Sequence, residues 1–231
     1  MQPIRFDYEC GPLAISFDMV DASNKEGVMV TLDDVYGLEK LISAIEKVND
    51  QVTRQFKSLS LDDFFARPGE KWSASDTLRH LTKTVNAVAR AMRVPKVILG
   101  MAFGKIDRPS RQYFEIRELY QKHIDMNAGA GKYAPAWQEI PATQAEAEML
   151  RRRTIKQWRK TGKSLVQSLN IWTDSKLDKY HLPHPILGKL SIREMLFFTL
   201  YHNLHHVGSV RRRVQEMHAR QVRSGQDRRR T

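Results

Sequence analysis

The sequence predicts a mainly α-helical protein: a four-helix bundle with a long crossover, preceded by a small N-terminal β-hairpin or meander. Three observations lead there. Four segments carry apolar residues at helical spacing, each bounded by capping residues or breakers. Proline and glycine cluster between those segments. The first 32 residues instead alternate apolar and polar side chains with a period of two.

In that opening stretch Ile4, Phe6 and Tyr8 alternate with charged residues, then Leu13, Ile15, Phe17 and Met19, then Val28, Val30 and Leu32. Gly11-Pro12 and the stretch 21–27 supply the turns. So small a ribbon is not stable alone and needs helices or a second subunit to pack against. Asp33 or Asp34 can cap a first helix reaching about Lys57, with Leu38, Leu41, Ile42, Ile45 and Val48 on one face. A connector stopped by Pro68-Gly69 follows, and Ser73 or Ser75 caps a second helix to about Arg93. Its stripe is Leu78, Leu81, Val85, Val88 and Met92, and Pro95 ends it. Residues 110–126 suit a shorter helix, and Gly129, Gly131, Pro135 and Pro141 mark a long loop. The third main helix is expected from about Ala142 to Ile171, and Pro183, Pro185 and Gly188 then break the chain. Ser191, with Glu194 three residues on, reads as a capping box opening a final helix to about Arg220. The chain thus divides into a β-like appendage (1–32), a helical unit (33–220) and a basic tail (221–231).

Composition narrows the class. With 41% hydrophobic and 28% charged residues the chain can bury a full core, which argues against wholesale disorder. No apolar run approaches the ~20 residues of a membrane span, so no membrane role is expected. No basic segment leads into a long apolar one at the N-terminus, and Cys10 is the only cysteine. A cytoplasmic location follows as the expectation. The net charge is +12, and residues 211–231 hold eight arginines against Glu216 and Asp227. A solvated helix end explains such a run, and so does a patch for nucleic acid or an acidic partner. Without aromatic residues to stack on bases, nucleic acid is not favoured.

The chemistry concentrates in the final helix. From Met195 to Val207 it is apolar nearly all round, which marks burial on several sides, yet His202, Asn203, His205 and His206 lie within it. A buried imidazole without a partner costs about 1–3 kcal/mol, so each needs one. His202 and His206 are four apart and differ by about 40° around a helix, so both can reach one point. A divalent ion is an economical partner for two neutral imidazoles, although the pair alone also fits ordinary buried histidines. Zinc usually takes three protein ligands even at an open site. His80 is the best third candidate, because it sits at the edge of the second helix's stripe. Its own face carries Thr77, Thr84, Ala87 and Ala91, which leave room for a pocket. The alternative is a partly exposed helix histidine.

Other residues read more simply. His205 points about 100° away from His206 and suits packing or support of the ligands. His184 suits the ordering of the loop before the final helix, whereas His123, His181 and His218 show no partner pattern. Cys10 reads as a small buried hydrophobe before a reactive thiol or distant ligand, and Trp137, Trp158 and Trp172 as core residues before the lining of a ligand pocket. Glu194, Asp76 and Tyr201 lie near the histidines in sequence, but no spacing rule selects one of them as a base. There is no Gly-rich phosphate loop, Cys-x-x-Cys pair or Gly-x-Ser-x-Gly elbow.

Trp72-Ser73 followed by His80-Leu81, then His184-Pro-Ile-Leu-Gly188-Lys-Leu-Ser191 and His202-Asn-Leu-His-His206, resembles the DinB-like superfamily of YfiT-type proteins. This is not the polymerase that shares the name. The resemblance spans roughly residues 33–217. It implies a four-helix bundle whose metal-binding histidines correspond to His80, His202 and His206, holding nickel or zinc. It also implies a thiol-dependent transferase, isomerase or hydrolase, often dimeric, acting on a small molecule such as a low-molecular-weight thiol. The N-terminal β-like segment, the long stretch 96–141 and Gly208-Ser209 depart from the pattern, so the substrate does not transfer with it. The leading reading is therefore a metal-dependent hydrolase or S-transferase. The alternatives are a non-catalytic bundle stabilised by metal and a nucleic-acid-associated protein acting through its arginine-rich end.

Overall fold

A computed structural model describes residue 32 and residues 34–125 and 131–227. The alternating segment and Cys10 lie outside these, apart from Leu32, which is buried. The described chain is mainly helical with one two-stranded antiparallel sheet. The helices are α1 (Leu38–Ser58), α2 (Leu61–Phe65), α3 (Ala74–Ala91), α4 (Lys96–Phe103), α5 (Tyr113–Asp125), α6 (Gln144–Leu169), α7 (Asp174–Lys179) and α8 (Ile192–Asp227). Strands β1 (His181–His184) and β2 (Gly188–Ser191) stand between α7 and α8.

The core forms where the apolar stripes meet. Helix α3 packs against α6 and α8, and α1 packs against the same two helices. Leu41, Ile45, Val48, Val52 and Phe56 of α1 face inward, as do Leu78, Leu81, Val85 and Ala89 of α3. Helix α6 approaches α1 closely because Gly162 has no side chain: a Cβ there would lie 2.6 Å from Asn49 Nδ2. Nearby, Trp158 is fully buried and its indole N–H donates to the Asn49 carbonyl at 3.2 Å. Thr154 is also buried, and its hydroxyl donates to the Leu150 carbonyl one turn back at 2.9 Å. That bond satisfies the hydroxyl, so a polar residue can sit on the inner face.

Helix starts carry the expected chemistry, with one change. Ser73 and Asp76 form a capping box on α3, and Thr143 and Glu146 form one on α6. At α8 the Glu194 amide donates to Ser191 Oγ at 3.1 Å and the Ser191 amide to Glu194 Oε2 at 2.9 Å. Helix α1, however, begins at Leu38, several residues after Asp33 and Asp34. The Leu38 amide donates instead to Asp174 Oδ1 at 3.0 Å, a cap brought from far along the chain. Helix α8 also runs on to Asp227, past the end expected near Arg220.

The Pro183–Gly188 stretch is ordered, not a simple break. It forms the β1–β2 hairpin, with Leu182 paired to Leu190 and Pro183 to Lys189. A two-stranded ribbon has two free edges, so proline fits where a central strand would reject it. Gly188 turns at φ +71°, a left-handed conformation that favours glycine. Among the described residues no helix is long and apolar enough to cross a membrane.

Candidate metal centre

Helices α3 and α8 bring the three histidines together. The capping box at Ser73 sets the start of α3, which places His80 two turns in and facing the core, 3% exposed. The box at Ser191 does the same for α8, where His202 is buried and His206 half-buried. One ring nitrogen from each of His80, His202 and His206 lies within 4.8 Å of the others. His80 Nε2 stands 3.1 Å from His202 Nε2. The ring centroids are 4.6 Å apart for the pair on α8 and 4.9 Å apart between His80 and His206.

One contact fixes the state of His80. Its Nδ1 lies 3.0 Å from the Tyr133 carbonyl, which can only accept, so the ring proton sits on Nδ1. Nε2 is then a bare lone pair aimed at His202. Second bonds of this kind orient metal-binding histidines and settle their tautomer.

Burial keeps all three rings neutral. Removal from water pushes the His80 pKa below its ordinary value, and the Lys83 charge adds to this against the opposing Tyr133 bond. His202 and His206 lie well below the ordinary value, again first through burial and then through the neighbouring histidines. Neutral imidazole is the form that binds cations.

The donor set fits a divalent cation of intermediate softness. Tetrahedral coordination at about 2.0–2.1 Å puts ligand nitrogens about 3.3–3.4 Å apart. His80 and His202 present theirs 3.1 Å apart, and all three lie within 4.8 Å of one another.

Aromatic rings wall the cluster. Trp72 lies 4.9 Å from His80 and stacks along His206 at 6.4 Å. Phe198 stacks on His202 at 5.1 Å, and Tyr120 of α5 stands 6.0 Å from the same ring. Beside the cluster, Arg213 donates to Thr77 Oγ1 and to Ser209 Oγ, each at 3.0 Å.

The remaining candidates separate clearly. His205 packs near Tyr120 and Tyr201 and is not in the converging set. Burial and the charges of Arg212 and Arg213 lower its pKa to about 4. His184 does organise its loop: the Ile186 and Leu187 amides donate to its Nδ1 at 3.2 and 3.0 Å. His123 bonds the Leu119 carbonyl and His218 bonds Asp63, whereas His181 is buried in β1. Trp158 and Trp172 belong to the core as expected, but Trp137 is 51% exposed, with the Arg67 guanidinium 4.4 Å above its ring.

The three nearby candidates for a base are occupied elsewhere. Glu194 is fully buried and accepts from Arg108, Arg111 and the Ser191 amide. Asp76 accepts from Ser73, Arg67 and Arg79, and the Tyr201 hydroxyl donates to Gln121 at 2.6 Å. Sequence reasoning missed Tyr133, which acts through a backbone carbonyl that every residue possesses. It also missed Arg193, fully buried between Asp174 and Asp178.

No curated protein and no solved structure matches the chain. The model of one family, the DinB superfamily, matches residues 44–210, which take in all three converging histidines and most of the four long helices. With a match over well more than half of its length, the chain belongs to the DinB superfamily.

Proposed function

We propose that this chain is a metal-dependent enzyme acting on a small molecule, either a hydrolase or a thiol-dependent transferase. His80, His202 and His206 would hold one divalent ion, zinc or nickel. The observation that carries this reading is the meeting of three neutral imidazoles at one point, with His80 Nδ1 engaged by Tyr133 and Nε2 left for the cation. When bound, the ion supplies a Lewis acid that eases loss of a proton from a water or thiol brought to it. The chain's own residues bind and orient. His80 is held in one tautomer, and Trp72 and Phe198 keep bulk water from the rings, which strengthens every charge interaction there. Asp76, Glu194 and Tyr201 are committed to the fold and have no catalytic role in this reading. The wider proposal is a four-helix bundle over residues 33–220 with 96–141 as its crossover, acting as a cytoplasmic homodimer.

Elemental analysis of purified protein tests the site. About one equivalent of metal per chain is expected in wild type, and less than about a tenth in His80→Ala or His206→Ala. A triple-alanine protein that binds metal as well as wild type ends the reading. Turnover in a thiol-transfer assay would then separate transferase from hydrolase.

Depth favours a second reading. His80 and His202 are only 3% and 4% exposed, which suits an ion that merely pins α3 to α8. That reading expects a closed coordination sphere without exchangeable water, measurable by water-proton relaxation on a paramagnetic substitute.

A further inference from the structure

The extended segment that follows the short 3₁₀ turn Gly131–Tyr133 lies along α3 without pairing to any strand. Its carbonyls are taken up by side-chain donors. Lys83 Nζ donates to Lys132 O at 2.6 Å and to Ala134 O at 3.2 Å. Between those two, the Tyr133 carbonyl receives His80 Nδ1–H. Further along, Arg79 donates to Ala136 O at 3.0 Å and Arg67 donates to Gln138 O. The Gln138 side chain accepts from Ser75 Oγ at 3.0 Å and from Arg79 at 3.4 Å. Arg79 and Lys83 flank His80 on the same helix, so the donors that hold the strap are one and three residues from the ring it contacts.

We infer that residues 132–138 form a positioning strap for the metal centre, and that Lys83 and Gln138 are its latches. By pinning the carbonyls on either side of Tyr133, Lys83 sets the height at which the Tyr133 oxygen meets His80. That contact holds the ring proton on Nδ1 and turns Nε2 toward His202. Neither latch is itself among the converging ring nitrogens, so each positions the centre through His80. The inference rests on the reading of His80, His202 and His206 as ligands.

Charge and position make opposite demands on Lys83, which gives the test its sign. Removing a cation near a divalent ion should tighten binding by Coulomb's law alone. Loss of the latch should weaken it, since outer partners of metal-bound histidines typically contribute about 10–100-fold in affinity.

The experiment measures zinc(II) affinity of the metal-free full-length chain by competition with a chromophoric chelator. It compares wild type with Lys83→Met, Lys83→Arg, Gln138→Ala and His80→Ala. Lys83→Met and Gln138→Ala should weaken zinc about tenfold or more. Lys83→Arg, which keeps the donors, should stay near wild type. In metal-free wild type, nitrogen NMR of the imidazoles should place the His80 proton on Nδ1, and Lys83→Met should mix the tautomers. Unchanged or tighter zinc binding in Lys83→Met and Gln138→Ala, with His80→Ala still weakened, overturns the strap and leaves the metal reading intact. A His80 proton on Nε2 in wild type overturns the strap as well. If His80→Ala also binds zinc like wild type, the ligand reading itself falls. Lys83 is exposed, and should Gln138→Ala fail to fold, the Lys83 pair decides alone.

Discussion

At the scale of single residues, buried charge is tolerated only where its partners are complete. Glu194 shows this most clearly. Burial pushes its pKa up, but bonds from Arg111 and Arg108 and the amides of Arg111 and Ser191 outweigh that and hold it at about 2. Its contribution to stability is therefore complete above the ordinary value of 4.5 and is lost as pH falls toward 2. Glu194→Gln should cost about 3 kcal/mol at pH 7 in urea unfolding, because it loses the charge-assisted bonds that hold the buried carboxylate ionised. The same variant should flatten the loss of stability between pH 4.5 and about 2, which acid titration of the unfolding midpoint would show. The residues around the candidate metal centre were unevenly legible. His202 and His206 announce themselves because helical spacing is local and an imidazole in an apolar run demands a partner. His80 could be chosen only with help from neighbouring motifs, since its distance from α8 is a matter of packing.

At the scale of elements, the long helices and the shorter α5 were readable, whereas α2, α4 and α7 were not. Helices α1, α3, α6 and α8 each repeat their pattern over several turns, whereas α2 and α7 span five and six residues, too few to show a period. The β1–β2 hairpin was obscured by its prolines, which a two-stranded ribbon accommodates at its edges. The start of α1 illustrates a further limit. Asp34 looks like a cap in the sequence, but it pairs with Lys40 at the surface while Asp174 caps Leu38. Asp174 also binds Arg193 at 2.9 Å, so one carboxylate ties α1, α7 and α8 together. Asp174→Ala should cost about 1–3 kcal/mol in equilibrium unfolding. Asp34→Ala should fall within about 0.5 kcal/mol of wild type. Equal effects would show that the remote cap contributes nothing.

At the scale of the whole molecule, a bound ion would join two helices far apart in sequence, since His80 and His202 are separated by 122 positions. An ion that binds the folded chain alone stabilises it by mass action, by about 2.7 kcal/mol at a hundredfold excess over Kd. For a chain of this size that corresponds to a rise in Tm of about 5–10 °C, reversed by a chelator. His80→Ala should remove the response, as scanning calorimetry with and without zinc would record.

What the chain determines by itself is what local spacing and polarity can encode: the mainly helical class, a serine cap opening α3, the capping box at Ser191, and the histidine pair on one helix face. Tertiary structure alone decided that His80 meets that pair, that Tyr133 fixes its tautomer, and that Glu194 is held by Arg108 and Arg111. The reason is physical. Helical periodicity acts over a few residues, whereas these contacts join positions 53 to 122 apart, and only the packing of the folded chain brings such partners within bonding distance.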